Sequence, residues 1–187
     1  MDCAQNGFVS VLGNTLTLPD IQPTKGEPMN TMIVNTANAT RAIHLLDIEN
    51  LMGTPYFTAE EVRHFKQLYM TSDFYEDGDQ IVIATSNARG LVDAGAGWGD
   101  ARYTFQHGAD GADLALIEIL HSEHIADRFG RVVIASGDGI FADEVRALVA
   151  AHVDVHVVAR ATGIHHCLRE VDACLHLLLS SDFALAA

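Results

Sequence analysis

The sequence predicts an α/β domain in a Rossmann-like, three-layer arrangement around a parallel central sheet of about five strands. Three observations predict it. From Arg41 onward, short aliphatic and β-branched runs alternate with segments of helical periodicity. Two of the runs, 42–46 and 132–134, are apolar almost throughout, as strands buried on both faces of a parallel sheet must be. Each then meets an aspartate, Asp47 directly and Asp138 after Ser136 and Gly137. A strand that ends in an acid delivers it to the carboxyl edge of the sheet, where open α/β folds bind ligands.

Taken in order, residues 1–40 hold three of the four prolines and only short apolar runs, so a flexible extension is expected there, with the folded domain spanning 41–187. The first strand is 42–46, with His44 expected as a packed, hydrogen-bonded histidine. After the Gly53-Thr54-Pro55 turn, Thr58 followed three residues later by Glu61 forms a capping box, and Val62, Phe65, Leu68 and Tyr69 recur on one helical face. Asp77-Gly78-Asp79 is a break before a second strand at 80–84. The segment 90–99 is glycine-rich and reads as a loop; its Trp98 is expected as a hydrophobic plug, with stacking on a nucleobase as the alternative. A third strand at 103–105 precedes one long helix over about 110–128. The fourth strand leads through Asp138 into a helix reaching about Ala151, a fifth strand covers 153–158, and 168–179 reads as a final amphipathic helix.

Composition narrows the class. No run approaches the roughly 18 apolar residues of a membrane span, and, with Asp2 and no basic region before an apolar core, no secretory signal is expected. Cys3, Cys167 and Cys174 are an odd set without a CxxC pair, which predicts a reducing compartment, the cytoplasm, and no disulfide partner. The formal charge of −14 opposes nucleic-acid binding unless cations and local basic groups offset it. A homo-oligomer is left open.

A third acid, Asp113, follows Gly111-Ala112 at the start of the long helix. Alone, it is explained by the helix dipole. With Asp47 and Asp138 at the same edge, it completes a trio of carboxylates that repel one another unless a cation is bound. Oxygen ligands of this kind suit Mg2+ or Mn2+, which bridge to phosphate oxygens. The chemistry that follows is phosphodiester hydrolysis.

DIEN at 47–50, GADLAL at 111–116 and SGDGIF at 136–141 together resemble the NYN domain, a branch of the PIN-like nucleases. The likeness covers roughly residues 43–158. It implies a Rossmann-like sheet and Mg2+- or Mn2+-dependent cleavage of RNA, with Asp47, Asp113 and Asp138 holding the metal, Asn50 nearby and Ser136 shaping the last turn. Two departures stand out. Family members carry a further acid where this chain has Ile140, for which Asp143 and Glu144 are the available substitutes, and one near position 118, where Glu118 is the candidate metal ligand.

Arg160, Thr162 and Arg169, with His165 and His166, follow the fifth strand and are the expected phosphate contacts. His165-His166-Cys167 suggests zinc, but neighbours diverge on a helix and no second ligand pair stands at a metal-binding spacing, so the reading sets zinc aside. Three rival functions are weighed. A degraded module that binds RNA or protein without cleavage is favoured by Ile140 and the negative charge. A phosphotransfer enzyme of the dehalogenase or receiver type needs a late lysine, and Lys25 and Lys66 are the only lysines. A dinucleotide-binding protein needs GxGxxG after strand one, which is missing.

Overall fold

The computed structural model describes residues 41–179, so the expected extension at 1–40 lies outside the described residues. The strands are β1 (Ala42–Asp47), β2 (Gln80–Thr85), β3 (Arg102–Phe105), β4 (Arg131–Ala135), β5 (Asp154–Arg160) and β6 (Cys174–Leu178). They form one sheet in the order β3-β2-β1-β4-β5-β6, every neighbouring pair parallel. The helices are α1 (Ile48–Met52), α2 (Ala59–Met70), α3 (Ala88–Trp98), α4 (Gly111–Ser122), α5 (Ile125–Arg128), α6 (Ala142–Ala150) and α7 (His166–Arg169).

Alternation along the strands makes two cores. Ile43 and Leu45 of β1 join Val132, Ile134, Val155 and Val157 under α4 and α6. Leu46 of β1 faces the other way, with Ile83, Val133, Ala135 and Val158, under α1 to α3. Parallel strands covered on both faces are therefore apolar at nearly every position, which is why the runs were visible in the sequence. His44 is a polar exception in the middle of β1. It is fully buried, accepts from the Tyr69 hydroxyl at 2.8 Å and faces Asp79 through Nε2 at 3.0 Å, and burial pushes its pKa down.

Three elements differ from expectation. The glycine-rich segment is the helix α3, started by Asn87, whose side chain accepts from the Gly90 amide at 2.7 Å. One of its glycines, Gly97, serves helix packing. A Cβ on Gly97 would stand 2.5 Å from the Ala59 carbonyl and 2.6 Å from Val62 Cβ, so only glycine lets α3 lie this close to α2. Trp98 is buried and packs on Phe65 and Tyr69, which makes it the plug rather than a stacking platform. Gly97→Ala is expected to destabilise the fold by about 1–3 kcal/mol, read as a lower denaturation midpoint with an unchanged slope.

The expected helix over 110–128 is divided between α4 and α5 at His124, whose φ of 51° is left-handed. The expected C-terminal helix is the largest correction. α7 stops at Arg169 and the chain becomes β6, paired along its whole length with His156–Arg160 of β5. Leu175 joins one core and Leu178 the other, a period of two. A leucine-rich segment carries both propensities, and an unpaired strand edge with its free amides and carbonyls decides between them. The sheet thus has six strands rather than about five. Among the described residues, no helix is long and apolar enough to cross a membrane.

Candidate metal centre at the switch point of the sheet

The chain winds outward through β1, β2 and β3, crosses back to β4 beside β1, and then winds the other way. The carboxyl ends of β1 and β4 are therefore the switch point, where flanking connections diverge and leave a crevice. Asp47 is the last residue of β1 and caps α1, its Oδ1 accepting from the Asn50 amide at 3.1 Å. Asp138 lies in the turn after β4, where its Oδ1 accepts from the Ile140 amide at 3.0 Å. Ser136, fully buried, joins the two: its hydroxyl lies 3.4 Å from Asp47 Oδ2 and accepts from the Asp138 amide at 3.2 Å. Asn50 completes the brace, accepting from the Gly137 amide at 2.9 Å. The two distant motifs are one hydrogen-bonded unit.

Asp113 comes from the first turn of α4 and is only 6% exposed. Its Oδ1 is buried and accepts no hydrogen bond. Such an oxygen costs about 1–3 kcal/mol when left unsatisfied, more when charged. Burial raises the pKa of Asp47 to about 6. Burial first, then the charge of Asp47 and a hydrogen bond with it, and then the charges of Asp138 and Asp110, raise that of Asp113 to about 8. Facing carboxyls in a shielded site either share a proton or hold a cation.

These groups line a cleft of about 630 Å³, together with Glu49, Asp110, Ser86, Arg160 and Thr162. Arg160, at the end of β5, donates from Nη1 to the carbonyls of Leu51 and Met52, at 3.2 and 3.0 Å, and so fastens the C-terminus of α1. Arg169 donates to the Ala161 carbonyl at 3.3 Å and is not among the cleft-lining residues. Glu118 is exposed farther along α4 and is likewise outside the lining. Nor do the substitutes for the missing acid reach it: Asp143 pairs with Arg146, and Glu144 with His121.

Glu49 is the residue that sequence reasoning missed. Its carboxylate accepts from the Ser86 amide at 2.8 Å, the Ser86 hydroxyl at 2.6 Å and Asn87 Nδ2 at 2.9 Å. That ties α1 to the loop after β2. The available signal was its place two residues after Asp47, since α1 begins at Ile48 and a first-turn acid there stands at the same sheet edge. No family model matches this chain, and no curated protein or solved structure is significantly similar to it.

Proposed function

We propose that the protein is a metal-dependent ribonuclease of the NYN and PIN-like kind, hydrolysing RNA phosphodiester bonds at the switch-point cleft. The observation that carries the reading is that Asp47, Asp113 and Asp138 come from three separate elements to line one cleft, one of them with a buried oxygen that lacks a hydrogen-bond partner, although the three carboxylates are not gathered within 4.8 Å of one another. An all-oxygen donor set of this kind fits Mg2+ or Mn2+.

Asp47, Asp113 and Asp138 would hold the metal. When bound, such an ion lowers the pKa of an attacking water and stabilises the leaving oxygen. Ser136 and Asn50 brace the Asp47 carboxyl and the backbone of the Asp138 turn through the hydrogen bonds described above, so the site is organised before substrate arrives. Arg160 and Thr162 border the same cleft and supply positive charge and a hydroxyl for a phosphate. That local cation, with the metal, offsets the net negative charge that otherwise repels RNA.

One observation favours a second reading, binding of RNA or protein without cleavage. Ile140, next to the Asp138 turn, is 38% exposed where the resemblance expects an acid. The two readings separate in one experiment: wild type and Asp138→Asn are incubated with single-stranded and structured RNA in Mg2+ or Mn2+. Cleavage by wild type alone, lost with chelator, is the expected result. Metal binding with intact RNA in every lane would assign the chain to the non-cleaving class.

A further inference from the structure

Beside the carboxylate cleft stands a second group of ligand-bearing side chains with different chemistry. Divergence of neighbours on a helix is the reason to set zinc aside at His165-His166-Cys167, but α7 begins only at His166. His165 is its extended N-cap, with φ −68° and ψ 145°, and its ring accepts from the Cys167 amide at 3.3 Å. The bend in the backbone folds the three side chains together. One ring nitrogen of each histidine and the Cys167 sulfur all lie within 4.8 Å of one another.

His166 Nε2 and Cys167 Sγ are 3.4 Å apart. Zinc bonds of about 2.0–2.1 Å to nitrogen and about 2.3 Å to sulfur span a tetrahedral edge of about 3.5 Å. Cys167 is a free thiol. Both histidines are exposed and Cys167 is half-buried, so an ion reaches them from solvent by small side-chain rotations and keeps water at its remaining position. Two imidazoles and a thiolate select borderline-soft ions, whereas the carboxylate cleft selects hard ones.

We propose that His165, His166 and Cys167 form a binding site for a zinc-class divalent cation, separate from the oxygen-lined cleft. The site is tied to the Asp138 turn. The His165 amide donates to the Gly137 carbonyl at 2.8 Å, and its ring lies so close to Gly139 that a Cβ there would stand 2.6 Å from Nδ1. An ion at this site therefore fastens the α7 entry against the turn that carries Asp138.

The test is a Co2+ titration of the full chain, followed by absorption, because thiolate ligation produces a sulfur-to-cobalt charge-transfer band that carboxylates cannot. The band is expected to saturate at one equivalent and to be displaced by Zn2+. It is expected to vanish in Cys167→Ser, to need at least about tenfold more Co2+ in His166→Gln, and to persist in Asp138→Asn. Circular dichroism of each variant verifies the fold. No band in the wild type, a band that survives Cys167→Ser, or one lost in folded Asp138→Asn would overturn the assignment, whatever RNA cleavage shows.

Discussion

Asp113→Asn is expected to abolish metal-dependent RNA cleavage, by about 10³-fold or more, while making the metal-free protein more stable. Under the proposed function the loss follows from removing a metal ligand, since such an ion would lower the barrier by several kcal/mol, at about 1.36 kcal/mol per tenfold in rate. The gain has a separate cause. Asp113 carries a buried oxygen without a partner and faces Asp47, so its ionised form is disfavoured by burial and by its neighbour. An amide of the same shape has no charge to bury. At pH 8 the variant should be more stable by on the order of 2 kcal/mol in chelator, and that advantage should vanish when Mn2+ is added to both proteins. Thermal unfolding with and without metal, beside single-turnover cleavage, measures both effects. A less stable, inactive variant would instead make Asp113 a structural cap of α4, and the metal centre would lose its third member.

Affinity for Mg2+ or Mn2+ is expected to fall on the order of 100-fold between pH 8 and pH 6, with proton release on binding. The raised pKa values, about 8 for Asp113 and about 6 for Asp47, mean that the metal-free pair holds about one proton at neutral pH. A cation must displace it. The same shifts set the sign for folding. Each carboxyl has a folded pKa above its unfolded value near 4, so the folded state binds more protons in this window. Their contribution to stability is fully present below about pH 4 and is lost as pH rises through about 6 and then about 8. Metal should flatten that decline. Calorimetry in two buffers of different ionisation heat reads the proton count, and unfolding across the same pH range reads the slope. An affinity unchanged from pH 6 to pH 8 would place the ion away from the Asp47–Asp113 pair.

Much of this was legible because parallel strands buried on both faces impose a local signal. Each of β1, β2, β4 and β5 is an unbroken or nearly unbroken apolar run, and the Thr58–Glu61 capping box places the start of α2 at Ala59. Asp47 and Asp138 were visible for the same reason, as acids closing such runs. The acid in the first turn of α4 was legible as well, although its buried, unpartnered oxygen was not.

By itself, the sequence determined the strands β1 to β5, the starts of the helices α2, α4 and α6, and which acids stand at strand ends or helix starts, since these depend on periodicity and turn chemistry within a few residues. Tertiary structure alone decided the rest. Whether 174–178 became strand or helix depended on the open edge of β5, and Gly97 of α3 acquired its meaning from contact with α2. The joining of Asp47 to Asp138 through Ser136, the part of Glu49 in holding the loop after β2, and the gathering of His165, His166 and Cys167 at a helix entry arise from contacts and backbone geometry that no periodicity encodes. Local patterns report the free energy of a segment against solvent, whereas these arrangements exist only once a partner segment has arrived.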